Sequence, residues 1–141
     1  MSLDDLYREV ILDHYSHPRN RGMVDPVDVM REGANPLCGD EITVSLRVRD
    51  GIVEDVRFEG KGCSISQASA SMMTERIKGQ ATEEAHRLIA AFKAMMRGAP
   101  VDGDLGDLEA LQGVRKFPVR VKCATLGWVT LEGALEDLAS R

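Results

Sequence analysis

Residues 41–60 read EITVSLRVRDGIVEDVRFEG and predict a β-hairpin. Along the first half, apolar and polar side chains alternate, which is typical of a strand with one buried face; its apolar members are Ile42, Val44, Leu46 and Val48. Asp50-Gly51 is a strong signal for a two-residue turn. The return strand, residues 52–59, places Ile52, Val56 and Phe58 on one face, although Glu54 interrupts the pattern.

Helical patterns flank this hairpin on both sides. Apolar residues recur at helical spacing over residues 3–15, and a polar, irregular stretch then leads to Asn35. After the hairpin we expect a helix over 64–78, with Ser64 and Gln67 as a capping box. Further helices are expected over 82–98 and from Cys123 onward, with a short one at 105–111 inside a Gly- and Asp-rich stretch. This order predicts an α+β fold in a single domain, residues 1–141.

Charge and hydropathy narrow the functional class. The net charge is −5, with 23 acidic against 18 basic residues, whereas a nucleic-acid-binding domain usually carries a basic stripe. No apolar run approaches the roughly 18–20 residues that cross a bilayer. The acidic, amphipathic N-terminus lacks the features of a secretory signal or a mitochondrial presequence. These observations predict a cytoplasmic protein that binds neither nucleic acid nor membrane.

The three cysteines are the main candidates for chemistry, since each lies at the boundary of a predicted element. Cys63 and Cys123 are expected near helix N-termini, where the helix dipole stabilises a thiolate. Cys38 and Asp40 stand two positions apart, so an extended backbone would turn both toward one ion. Three thiolates and a carboxylate can form a tetrahedral zinc site. The wide gaps between the cysteines match no compact zinc motif, however, so spacing alone leaves structural thiols as the alternative.

Four segments carry a resemblance to a known family. They are LYREVILDHYSHPRNRG (6–22), NPLCGD (35–40), GKGCSISQASASMM (60–73) and RVKCATLGW (120–128). Together they resemble the IscU/NifU-like iron–sulfur cluster assembly proteins, and more closely their SufU branch. Classic IscU scaffolds have a histidine where this chain has Lys122. SufU-type proteins also have an insertion of roughly twenty residues between the second and third cysteines, here about residues 98–118.

The resemblance implies a small antiparallel sheet of about three strands covered by helices, as in IscU and SufE. It implies that zinc is bound by four residues: Cys38, Asp40, Cys63 and Cys123. It further implies partnership with a pyridoxal-phosphate cysteine desulfurase of the SufS type and with other cluster assembly proteins. Cys38 would accept the persulfide sulfur, while Arg120 would orient Asp40 or stabilise the anionic persulfide. Such a protein is a sulfurtransferase-like desulfurase activator rather than a stand-alone enzyme.

Two other readings remain open on the sequence. A scaffold could assemble a transient [2Fe–2S] cluster, and so bind iron, on the same three cysteines and Asp40. A purely structural zinc module is the second alternative, although ligands spread so widely along the chain argue against it. The lysine before Cys123 and the insertion favour zinc-dependent sulfur transfer for iron–sulfur cluster biogenesis.

Overall fold

The computed structural model of this chain describes residues 3–101, 103 and 105–141. In this part of the chain a helix is followed by three strands and then by further helices, which confirms the α+β prediction. The elements are α1 (Leu3–Ser16), β1 (Val29–Asn35), β2 (Asp40–Arg49), β3 (Ile52–Lys61), α2 (Ser64–Ile77), α3 (Thr82–Met96), a 3₁₀ helix (Gly106–Val114) and α4 (Pro118–Ala139).

The predicted hairpin is confirmed as β2 and β3. Asp50 and Gly51 both adopt positive φ, 54° and 76°, as the favoured two-residue hairpin turn requires. The predicted face of β3 is wrong at its start, because Ile52 is 39% exposed while Val53 is fully buried. The cause is a register shift opposite Arg47 and Val48. A bulge of this kind adds one residue to a strand. The residues that precede the bulge therefore face the opposite way from the one that the later alternation predicts.

The third strand, β1, was not predicted from the residue pattern. It pairs antiparallel with β2 from Val29 opposite Leu46 to Asn35 opposite Asp40, and so completes a sheet of order β1-β2-β3. Only its two end residues are buried, so the sequence shows no alternation of apolar and polar side chains. The sheet of about three strands implied by the family resemblance is confirmed.

Two helix starts differ from the prediction. Cys63, not Ser64, occupies the N-cap position of α2 and makes no side-chain capping bond, so the capping box is wrong. Ser66 Oγ instead donates to the Cys63 carbonyl at 3.1 Å. The last helix begins at Pro118, five residues before the expected start, because proline is well suited to the first turn of a helix. Cys123 therefore lies within α4 rather than at its N-terminus.

The core forms between the sheet and helices α2, α3 and α4. Small residues on α2 let α4 approach closely: Ser69 Oγ donates to the Ala124 carbonyl at 2.6 Å and accepts a bond from Trp128 Nε1 at 3.2 Å. The Trp128 ring stacks on Phe92 at a centroid distance of 4.6 Å. No helix in the described part of the chain is both long enough and apolar enough to cross a bilayer.

The short helix expected at 105–111 within the insertion, residues 98–118, is present as the 3₁₀ helix Gly106–Val114. Asp102 and Asp104 of the insertion lie outside the described residues. The buried His14 of α1 holds this segment in place, as its Nε2 lies 3.1 Å from Asp107 Oδ2 and its Nδ1 lies 2.8 Å from Ser71 Oγ on α2. His14 therefore joins α1, α2 and the insertion.

We expect His14→Ala to lower the free energy of unfolding by about 1–3 kcal/mol, since it removes a buried hydrogen bond to Ser71 and a part-buried one to Asp107. Urea denaturation followed by circular dichroism measures this loss. His86→Ala is the matched control, because His86 is exposed on α3. Equal stability of the two variants would contradict the assigned role of His14.

Candidate metal centre

All four predicted ligands lie near one another where the β1–β2 turn approaches the start of α2 and the second turn of α4. Cys38 Sγ and Cys123 Sγ are 3.2 Å apart. Ligand atoms of Cys38, Asp40 and Cys123 all lie within 4.8 Å of one another. Cys63 adjoins this group, with its Sγ 4.0 Å from Asp40 Oδ2. Residues that are far apart in the sequence thus form one cluster of three thiols and a carboxylate.

Cys38 sits in a short turn closed by the last pair of the β1–β2 ladder. The pair is Asn35 with Asp40, and the Cys38 amide donates to the Asn35 carbonyl at 3.2 Å. Gly39 completes the turn with a φ of +70°, a conformation that costs glycine little. Cys38 is half-buried as a residue, whereas Cys123 is buried completely.

Asp40 ties the hairpin to the start of α2. Its side chain is buried, and Oδ1 accepts a hydrogen bond from the Cys63 amide at 2.8 Å. The carboxylate also packs so closely on Gly62 that a side chain there would clash with it. Oδ1 is thereby engaged with the backbone, while Oδ2 faces the Cys63 sulfur.

The pKa of the Cys123 thiol is raised, whereas the sequence predicted a thiolate stabilised by a helix N-terminus. Burial raises its pKa far above the ordinary value, and contacts with Asp40, Cys38 and Cys63 raise it further. The helix dipole does not favour its thiolate, because α4 begins five residues earlier. A carboxylate and three thiols packed this closely bind a cation readily, since the cation offsets the repulsion between their ionised forms.

The donors fit zinc in type and spacing. Zinc is commonly bound by cysteine sulfur at about 2.3 Å and carboxylate oxygen at about 2.0–2.2 Å in a tetrahedron, which separates two sulfurs by about 3.8 Å and a sulfur from an oxygen by about 3.6 Å. The Cys38–Cys123 sulfur distance of 3.2 Å and the Cys63–Asp40 distance of 4.0 Å are close to these values, so small side-chain rotations would complete the geometry. The four side chains therefore suit a tetrahedral metal without a change of fold.

Arg120 lies at the rim of the cluster, on the exposed first turn of α4. The Cys63 sulfur beside its guanidinium raises the pKa of Arg120 above its usual range, with smaller effects from Cys123 and Cys38. The guanidinium thus lies beside Cys63, and its role toward Asp40 or a persulfide stays a prediction. Lys122 is exposed to solvent.

Sequence reasoning missed Asn35 as a site residue. Its side chain is 6% exposed, and its Nδ2 donates a hydrogen bond to Cys123 Sγ over 3.6 Å. The signal was present in the NPLCGD segment, which begins with this residue. A polar residue before a proline reads as part of a turn, however, and does not by itself indicate contact with a cysteine of α4.

Two curated relatives resemble this chain over nearly its whole length. The zinc-dependent sulfurtransferase SufU of Bacillus subtilis (strain 168) is 53% identical over 133 residues, covering 93% of this chain and 90% of the relative. The iron–sulfur cluster assembly scaffold protein IscU of Thermotoga maritima is 46% identical over 135 residues, covering 95% of both chains. The resemblance seen in the four sequence motifs is therefore confirmed.

A solved structure and a family model lead to the same family as these relatives. A crystal structure of the N-terminal part of a nitrogen-fixing NifU-like protein from Brucella abortus superposes with a TM-score of 0.89 at 26% identity. The match covers 99% of this chain and 98% of that one. The family model described as the NifU-like N-terminal domain matches residues 6–141. The chain belongs to the NifU-like N-terminal domain family.

Proposed function

We propose that this protein is a zinc-dependent sulfur-transfer protein for iron–sulfur cluster biogenesis, and that it accepts persulfide sulfur from a SufS-type cysteine desulfurase. One observation carries the proposal: three thiols and a buried carboxylate converge at one point. The 53% identity to a zinc-dependent sulfurtransferase supports the same chemistry. The free cysteines suit the reducing cytoplasm, where we expect the protein to act with other cluster assembly proteins.

We assign Cys38, Asp40, Cys63 and Cys123 as the residues that hold zinc. When bound, zinc keeps coordinating thiols deprotonated and takes no part in redox chemistry. Asp40 suits a permanent ligand, because its carboxylate is buried and fixed by the Cys63 amide. Cys38 suits a ligand that exchanges, because the residue is only half-buried and lies in a turn.

The sulfur transfer is an exchange between cysteines. The thiolate of Cys38 attacks the terminal sulfur of the desulfurase persulfide and forms a new S–S bond. The S–S bond of the donor breaks, and its electron pair leaves with the donor cysteine as a thiolate. The transferred sulfur keeps its oxidation state, so no oxidant is consumed. Arg120, beside Cys63, supplies a cation near the anionic persulfide.

A second candidate function is a scaffold that assembles a [2Fe–2S] cluster as cargo. The 46% identity to a relative named as an IscU scaffold favours it, and cysteine thiolates are the usual ligands of such clusters. The same four residues would hold the cluster. Lys122 stands where the classic scaffolds have a histidine, which favours sulfur transfer in this chain.

Alanine release by the cognate desulfurase tests the proposal. We expect the zinc-loaded protein to accelerate conversion of cysteine to alanine, because it removes sulfur from the desulfurase persulfide. Aerobically purified protein should contain about one zinc per chain and be colourless. Absence of stimulation by the wild type would contradict sulfur transfer. A stoichiometric brown cluster after anaerobic reconstitution, together with no stimulation, would support the scaffold.

A further inference from the structure

Cys123 and Cys38 differ in the hydrogen bonds that hold them, and Asn35 accounts for the difference. We infer that Asn35 is a positioning residue that keeps Cys123 on the metal, so that Cys38 is the thiolate free to exchange. The inference rests on the proposed zinc site.

The side chain of Asn35 acts on Cys123. Its amide Nδ2 donates to Cys123 Sγ, and both residues are buried, at 6% and 0% exposure. A thiolate on a metal has lone pairs left over, and an N–H donor aimed at them stabilises the negative charge. The bond also fixes the position of the sulfur. Both effects make the Cys123 thiolate harder to remove from a metal.

The main chain of Asn35 acts on the turn that carries Cys38. Its carbonyl accepts the Cys38 amide at 3.2 Å, and its pairing with Asp40 closes the turn. These bonds hold the backbone of Cys38 but leave its side chain free to rotate. Among the described residues, the hydrogen bond to Cys38 Sγ comes from Cys123 Sγ, which zinc binding would abolish by removing the thiol proton. Cys38 thus lacks the amide bond that Cys123 has.

A double-mutant cycle on zinc affinity tests this assignment. Asn35→Leu removes the amide at similar volume and leaves the backbone bonds in place. In competition with a chromophoric zinc chelator, we expect the apparent zinc affinity to fall about 10–100-fold. The same fall should occur in a Cys38→Ala background. It should disappear in a Cys123→Ala background, because the amide then has no sulfur to act on.

One control variant guards the interpretation. Thr130→Val, a buried polar-to-apolar change elsewhere on α4, should leave zinc affinity unchanged. Circular dichroism establishes that each variant is folded.

The inference is overturned if Asn35→Leu binds zinc as tightly as the wild type. It is also overturned if the fall persists without Cys123 and vanishes without Cys38, because Asn35 would then act through the turn. The cycle uses zinc alone and no desulfurase. A protein that binds zinc as expected but does not stimulate the desulfurase would therefore contradict the proposed function and leave this inference standing.

Discussion

Cys38→Ala is expected to reduce alanine release to the rate of the desulfurase alone, while the protein still binds zinc. The variant lacks the thiolate that we propose to attack the persulfide, so the transfer would have no acceptor. Asp40 and Cys123 remain buried beside Cys63 and still supply a carboxylate and two thiolates. Paired measurements of alanine release and zinc content check both halves of this result.

Two variants sharpen the Cys38 experiment. Cys38→Ser replaces the sulfur by an oxygen that can bind metal but forms no persulfide, so it too should fail to stimulate. Met30→Ala changes an exposed residue of β1 in the same sheet and should stimulate like the wild type. Full stimulation by Cys38→Ala would show that another cysteine accepts the sulfur.

Asp40→Ala is expected to lower zinc affinity by at least about 100-fold and to destabilise the loaded protein. The change removes a proposed ligand, and effects on metal affinity of 10–100-fold are typical even for residues that only orient ligands. It also leaves the part-buried amide of Cys63 without its acceptor, at a cost of about 1 kcal/mol. Chelator competition and thermal unfolding in the presence of zinc measure the two losses.

Asp40→Asn separates the two roles of this residue. The amide oxygen of asparagine can still accept the bond from the Cys63 amide, but the negative charge is gone. We expect this variant to keep most of the apo-protein stability and to bind zinc weakly. Wild-type zinc affinity in both Asp40 variants would remove Asp40 from the proposed ligand set.

How far the sequence predicts this fold depends on how each element is buried. The β2–β3 hairpin was predictable, because one face of β2 is apolar and Asp50-Gly51 fits the turn. Strand β1 was not, because it is buried only at its ends and is defined by its hydrogen bonds to β2. The start of α4 is hard to predict, because Pro118 follows a Gly- and Asp-rich stretch and suits a loop as well as the first residue of a helix.

The candidate site was predictable in composition but not in arrangement. The three cysteines and Asp40 were identified through the family motifs, since their spacing matches no compact zinc motif. Which atoms face one another depends on long-range packing of α2 and α4 against the sheet. The contact of Asn35 with Cys123 and that of Arg120 with Cys63 arise from this packing, and no local pattern encodes them.

The short turn that carries Cys38 limits how far the Cys38 sulfur can move toward a sulfur donor. The turn spans only residues 36–39, and the paired residues Asn35 and Asp40 fix both of its ends. The Cys38 sulfur can therefore swing only through the arc of its own side chain. Under the proposed function, nearly all of the travel needed for sulfur delivery would fall to the desulfurase, and we expect its persulfide-bearing cysteine to lie on a segment long enough to reach Cys38.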